Sequence, residues 1–416
     1  MDKIGLKEKF ASHIKGTNYA NLDEETKIFF EKVYLKYAFS FQELKQLIDF
    51  AIDFKMWQEE PMQKIFTWDY TNKKEAFSSI REIWQILKEK PNSYKNFSIP
   101  KNYKRTYSTY EFEANKPALG SCPVASESTR CCNLWTLDAV NSCGFDCSYC
   151  SIQSFYKQEK IGFDKNFAKN LKNIHLDPNK TYHIGTGQSS DSLMWGNKNG
   201  ILDALFEFAR ENENVILEFK TKSKNIKYLL QNDVPKNIIA TWSLNTKTII
   251  KNEEHLTASL DERINSAHEL AQKGVLVGFH FHPMVVYENY LQEYREIFKH
   301  LTDTFNPKDV ALVSFGTLTF IKPVINKLRK RDFYSKILQM PLLDANGKYS
   351  YSLDDKRKMF KNAYEGFAPW HGKVYFYMCM EEKSLWKEVF GREYANNDEM
   401  EEDMKRAYFE KINSKK

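Results

Sequence analysis

Six short runs of β-branched and aromatic residues recur between positions 134 and 315, with stretches of helical periodicity between them. The runs are Leu134 to Val140, Tyr182 to Thr186, Val215 to Phe219, Ile238 to Leu244, Val275 to Phe281 and Val310 to Phe315. Strands that alternate with helices form a parallel sheet, and ligands then bind at the C-terminal ends of the strands. The clearest intervening helix begins near Thr257 or Ser259, sets Leu260, Ile264, Ala267 and Ala271 on one face, and stops at Gly274.

The remaining residues divide into three regions around this one, which spans 131–320. Residues 1–96 read as a helical region, because Phe29, Val33 and Tyr37, then Leu44, Leu47, Ile48 and Ala51, recur at spacings of three and four, with Trp57 closing the run. Residues 97–130 read as an extended connector. Residues 321–416 hold a basic segment (Lys327, Arg329, Lys330, Arg331, Lys336), an aromatic strand from Val374 to Met378, and an acidic run from Asp398 to Asp403. A chain of 416 residues with 42% hydrophobic residues buries a full core. Its 61 Lys and Arg against 55 Asp and Glu give +6, which permits an anionic partner without demanding one. No run of about 18 apolar residues occurs and the first residues are polar, so the expectation is a soluble cytoplasmic protein with no membrane partner.

Six of the seven cysteines fall between Cys122 and Cys150, poor spacing for disulfides and good spacing for metal. Immediately after the first candidate strand, Cys143, Cys147 and Cys150 stand in a C-x3-C-x2-C loop with Tyr149 before the last thiol. A structural zinc site takes four ligands, whereas a four-iron cluster held by three thiolates keeps one iron free for a cofactor or substrate. Zinc completed by Cys131 or Cys132 is the alternative reading, and a zinc-stabilised nucleic-acid-binding protein without catalysis is its functional counterpart.

This loop resembles the signature of the radical S-adenosylmethionine enzymes, and further segments are similar to those of the spore photoproduct lyase family. They are Ser189-Ser190-Asp191, Thr221-Lys222-Ser223, Trp242-Ser243-Leu244-Asn245, Gly278 to Pro283, Phe315-Gly316-Thr317-Leu318, Gly347-Lys348 and Cys379-Met380-Glu381. The resemblance implies an α/β fold, a partial (β/α)6 barrel, with an N-terminal helical region and a C-terminal extension. It implies a [4Fe-4S] cluster on Cys143, Cys147 and Cys150, S-adenosylmethionine contacted by Ser190, Lys222 and Ser243, and reductive cleavage to a 5′-deoxyadenosyl radical. The implied substrate is a DNA base lesion such as a thymine dimer; the implied electron source is a reducing protein such as a flavodoxin or ferredoxin.

One position departs from the family. Where the lyase carries a cysteine that returns a hydrogen atom to the substrate radical, this chain has Gln188. Amide N–H bonds are too strong for that task, so either another group substitutes or the enzyme acts on a non-DNA substrate. The substitutes considered are Cys131, Cys132, Cys379 and a tyrosine such as Tyr149 or Tyr182. Cys122, Cys131 and Cys132 could alternatively ligate a second cluster. His280 and His282 share one strand face and read as hydrogen-bonded barrel-lining residues rather than ligands. The basic segment, with Phe333 and Tyr334 interleaved, and the loop Asn346 to Tyr349 are the features that suit a nucleic acid.

Overall fold

Side-chain caps set the helices of the first hundred residues. After α1 (Lys3–His13), Asp23 accepts the Thr26 N–H at 2.8 Å and starts α2 (Glu24–Tyr37). Ser40 and Glu43 form a capping box at the head of α3 (Phe41–Trp57), and Asn72 caps α4 (Lys73–Glu89). The computed structural model describes residues 3–100, 103–117, 119–122, 129–156, 159–345 and 347–415, so Asn346 and part of the connector lie outside the described residues. It divides into two units: Met1–Tyr103 with Val286–Glu288 and Phe320–Tyr349, and Lys104–Val285 with Asn289–Thr319 and Ser350–Lys416.

In the first unit, the apolar stripe expected on α2 and α3 is buried, from Phe29 through Trp57. Burial on α3 extends further than the stripe, to Asp49 and Asp53. A buried carboxylate needs a partner, and Asp53 has two: the Arg329 guanidinium, with Nε and Nη2 at 2.8 and 2.7 Å, and the Trp84 indole N–H at 2.9 Å. Lys336 likewise meets Glu59 at 2.9 Å. Two cations of the basic segment are thus turned toward carboxylates of their own unit.

The second unit is built on an eight-stranded sheet: β1 (Leu119–Ser121), β2 (Trp135–Leu137), β3 (Tyr182–Thr186), β4 (Val215–Thr221), β5 (Ile238–Ser243), β6 (Leu276–Met284), β7 (Val310–Thr317) and β8 (Tyr375–Met378). They lie side by side in chain order; β1 is antiparallel to β2, and every later neighbour is parallel. The six expected runs are β2 to β7, and the aromatic run is β8. This curled sheet is the partial barrel.

Helices α5 (Ile201–Glu211), α6 (Lys247–Glu253), α7 (Leu260–Gln272), α8 (Tyr290–Thr304), α9 (Leu353–Gly366) and α10 (Asn397–Ser414) accompany it. Helix α7 starts on a Ser259–Glu262 capping box, and just beyond its end Gly274 takes φ +93°, a conformation open mainly to glycine. The acidic run opens α10, where Asp398 and Glu399 meet the positive end of the helix dipole. Among the described residues, no helix is long and apolar enough to cross a membrane.

The first expected strand is interrupted. Asp138 leaves the ladder after Leu137 and accepts the Ser189 N–H at 3.1 Å, while Ser189 Oγ donates to the Val140 carbonyl at 2.5 Å. The loop after β3 is thereby tied to the segment that leads into the cysteine triplet.

Candidate functional site

Four contacts shape the triplet loop. Val140–Asn141 pairs antiparallel with Lys160–Asp164 and delivers the chain to Cys143. Arg105 donates one guanidinium nitrogen to the carbonyls of Cys143 and Phe145 at 2.8 and 2.7 Å, and is itself held by Glu159 at 2.7 Å. Asp146–Cys147 pairs antiparallel with Glu254–His255. Ser148 is bound through its N–H to the Glu253 carbonyl at 2.9 Å and through its hydroxyl to the Glu253 carboxylate. A Cβ at Gly144 would come within 2.5 Å of Met194 Cε and 3.1 Å of the Trp195 ring, so a larger residue there requires both side chains to give way.

Tyr149 is buried, and its hydroxyl donates to Glu254. Glu254 also takes Arg263 at 2.6 Å, and Arg263 reaches on to the Ser243 carbonyl at 2.8 Å. Although burial alone would raise the Glu254 carboxyl, Arg263 and then Lys222 hold it below its ordinary range. This carboxylate couples the triplet loop to the end of β5.

The strand ends next to the loop carry the expected cofactor residues. Lys222 follows β4 directly and Ser243 ends β5, and the pairing of Thr221 with Trp242 makes the two adjacent. The Lys222 ammonium lies 5.9 Å from the centre of the Tyr149 ring. Ser190, in the loop after β3, accepts the Trp195 indole N–H at 3.1 Å. Asp191 holds that loop to β4, taking the Lys222 N–H and the Thr221 hydroxyl, each at 2.7 Å, and the Leu193 and Met194 N–H groups at 3.0 and 2.9 Å. Gln188 is half-buried, just after Gly187, whose φ of +75° makes the turn.

Two thiols of the triplet, Cys143 and Cys147, are shifted toward their neutral form by their surroundings. Burial, with Asp191 next, pushes the Cys143 thiol up to about 12, and burial raises Cys147 as well, while Lys222 opposes both shifts. Among the described residues, no three His, Cys, Asp or Glu side chains are placed to hold a single metal ion. A four-iron cluster differs from an ion because each thiolate binds a separate iron. The donor set suits that: three mutually interacting thiols on a loop held by its backbone, with the thiols left over for metal.

Cys132 and Cys379 lie away from this loop, in the barrel interior with Cys122 and Cys131. His280 and His282 line the barrel as expected. His280 Nε2 meets Glu218 at 2.5 Å and its Nδ1 meets Ser314 at 2.5 Å, and the Ser314 hydroxyl reaches His282 at 3.0 Å. Glu218 also takes His183 at 2.8 Å and the Thr241 hydroxyl at 2.8 Å. Against burial, Lys220 and His280 hold the Glu218 carboxyl well below its ordinary range, while burial pushes both His280 and His282 down. The sequence reading missed Glu218, His183, Ser314, Glu254 and Arg263. A glutamate amid the apolar residues of β4 was the available signal, since a charge on a buried strand requires partners.

A parallel barrel bearing a three-thiol loop after its first parallel strand, with a lysine and serines at the neighbouring strand ends, is the arrangement of a radical S-adenosylmethionine enzyme. A spore photoproduct lyase family model matches residues 126–356, more than half of the sequence. The chain belongs to the spore photoproduct lyase family. The spore photoproduct lyase of Clostridium acetobutylicum is 28% identical over 243 residues, covering 54% of this chain and 70% of the relative. That of Bacillus subtilis is 34% identical over 94 residues, 23% of this chain and 27% of the relative. Among solved structures, spore photoproduct lyase complexed with dinucleoside spore photoproduct superposes with a TM-score of 0.55 at 17% identity, covering 73% of this chain and 93% of that one. A mutant spore photoproduct lyase with bound AdoMet and dinucleoside spore photoproduct gives 0.51 at 18% identity, covering 59% and 75%. These structures bear out the fold.

Proposed function

We propose that the chain reductively cleaves S-adenosylmethionine at a [4Fe-4S] cluster and acts on a thymine-dimer spore lesion in DNA. The observation that carries this is the meeting of the Cys143, Cys147 and Cys150 loop with the adjacent strand ends at Lys222 and Ser243. The substrate named for the solved relatives, a dinucleoside spore photoproduct, supports the choice of lesion.

When bound, cluster and cofactor supply a carbon radical that abstracts hydrogen from the substrate. The three cysteines would hold the cluster. Lys222 sets a cation where the methionyl carboxylate needs one, and Ser190 and Ser243 offer hydroxyls for its polar groups. Arg105, Glu253 and Glu254 keep the loop in place, and the buried Tyr149 side chain excludes water from one side of it. A flavodoxin- or ferredoxin-type protein is the proposed electron source. The four regions 1–96, 97–130, 131–320 and 321–416 are proposed as the functional divisions of the chain, with the barrel carrying the chemistry and the C-terminal region contributing to DNA contact.

Anaerobic reconstitution, then incubation with reductant, S-adenosylmethionine and lesion-bearing DNA, is the test. The expected result is iron and sulfide near four per chain by the cluster's composition, 5′-deoxyadenosine, and restored thymines, all lost in Cys147→Ala. Stoichiometric zinc without iron uptake would overturn the cluster; 5′-deoxyadenosine without restored thymine would overturn the substrate. Gln188 favours a second reading, the same chemistry on a non-DNA substrate, and gain of lesion repair by Gln188→Cys in an otherwise inactive parent would support it.

A further inference from the structure

Three of the seven cysteines are in the triplet, and the remaining four, Cys122, Cys131, Cys132 and Cys379, meet in one place inside the barrel. The backbone brings them there from distant parts of the chain. The Cys122 N–H bonds to the Leu134 carbonyl at 2.9 Å, two residues past Cys132. Thr129–Arg130 pairs antiparallel with Glu381–Glu382, and the Met380 N–H continues that ladder to the Arg130 carbonyl at 3.1 Å. This lays Cys131 and Cys132 against Cys379, whose own N–H bonds to Phe315 of β7 at 2.8 Å. The Cys131 thiol interacts with those of Cys122, Cys132 and Cys379.

Among the described residues no three such side chains are placed to hold a single ion, and four neighbouring thiols offer S–H bonds as their chemistry. Cys131 and Cys132 are each 3% exposed, while Cys122 and Cys379 keep accessible surface.

Their place in the barrel is set by Lys220, whose ammonium interacts with Cys122, Cys132 and Cys379. Lys220 and Lys222 share one face of the β4 chain, two residues apart, a step of about 7 Å along a strand. Lys222 faces Tyr149 and the triplet; Lys220 faces three of the four thiols. His282 interacts with both lysines, and Gly316, packed against its ring, leaves no side chain in between: a Cβ there would meet the ring at 3.1 Å. The lysine that meets the thiols thus stands one inward-facing position below the lysine at the cofactor end of β4.

We propose that Cys379, backed by Cys131, Cys132 and Cys122, is the hydrogen-atom donor of the reaction. The proposal rests on the function reading above, since it needs a substrate radical to quench. The Cys379 S–H bond breaks, a substrate C–H bond forms, and the unpaired electron remains on sulfur with no net movement of charge. The Cys379 thiyl radical then takes hydrogen from a neighbouring thiol, an exchange between like bonds that spreads the radical over the group. A small-molecule thiol reductant from solution returns a hydrogen atom to end the cycle, and its own sulfur carries the radical away.

Thiol hydrogens exchange with solvent, whereas the carbon-bound hydrogens of 5′-deoxyadenosine do not. The reconstituted full chain is equilibrated in D2O and given reductant, S-adenosylmethionine, dithiothreitol and lesion DNA. One deuterium in the restored thymine is expected, falling roughly a hundredfold in Cys379→Ser, a placement-sensitive loss, while 5′-deoxyadenosine continues to form. Restored thymine with only protium in the parent would overturn the donor assignment and leave the function reading intact. No restored thymine at all overturns the function reading and this proposal together. Mild diamide oxidation of the parent, followed by peptide mapping, is expected to give a Cys122–Cys131 disulfide; absence of any crosslink among the four would overturn the grouping whatever the activity, and retention of the parent melting temperature by Cys379→Ser excludes misfolding as the cause of its loss.

Discussion

The Arg263 guanidinium lies 2.6 Å from the Glu254 carboxylate, and both side chains are almost wholly shielded from water. The same carboxylate takes the Tyr149 hydroxyl, and the same guanidinium takes the carbonyls of Ala258 and Ser243. Removing one member of a buried, hydrogen-bonded pair leaves the other charge uncompensated, at a cost of about 3 to 5 kcal/mol. Glu254→Gln is therefore expected to lower the denaturation midpoint of the chain by that order. A double variant, Glu254→Gln with Arg263→Met, should recover part of the loss, and a strictly additive result would show that the pair does not couple.

Arg105 binds the triplet loop through two main-chain carbonyls. Hydrogen bonds from a charged donor contribute about 1.5 to 3 kcal/mol each when compared with their loss. Arg105→Gln should retain the fold, seen as an unchanged far-ultraviolet spectrum, yet keep less iron after reconstitution and gel filtration. Full iron retention would mean that the β pairing with Glu254–His255 alone holds the loop.

Lys222 is the cation next to both Tyr149 and Ser243, proposed to take the cofactor carboxylate. Lys222→Ala should weaken S-adenosylmethionine binding by about 2 to 4 kcal/mol while leaving the cluster spectrum in place. Binding as tight as the parent's, measured by equilibrium dialysis, would show that Lys222 has been misassigned.

His280 and His282 have folded-state pKa values below the ordinary histidine value, chiefly through burial. The unfolded chain therefore binds more protons as pH falls through about 6.5, and stability decreases over that window. Glu218, held low by Lys220 and His280, gives stability that is present above the ordinary carboxylate range and lost as pH falls toward its folded value. The groups facing His282 are His280, Lys220, Lys222 and Glu218. Melting curves should shift downward between pH 7 and 5.5, and His282→Asn should flatten that slope; an identical slope in the variant would remove His282 from the account.

Strand periodicity was legible because it is local: β3 spans the expected Tyr182 to Thr186 without change, and Ser259 with Gly274 bounds α7. The break at Asp138 was not, because its cause is the Ser189 N–H, far along the chain. Arg329 reads as one more cation in a basic run until Asp53 is seen to be buried beneath it. The cysteine triplet is a feature of adjacent residues and can be read directly. Cys122, Cys131 and Cys132 stand together in the chain, but Cys379 joins them only through the pairing of Thr129–Arg130 with Glu381–Glu382, of which spacing carries no trace.

Two anchors of the triplet loop are made long after the loop. Ser148 and Tyr149 bind Glu253 and Glu254, 105 residues further on. At the usual pace of about 5 to 20 residues per second, a ribosome takes roughly 5 to 20 s over that stretch. Throughout that interval Cys143, Cys147 and Cys150 are carried on a nascent loop that has Arg105 but not yet the Glu253 and Glu254 half of its clamp. Synthesis, rather than the life of the finished protein, is thus when these thiols are most open both to oxygen and to delivery of iron.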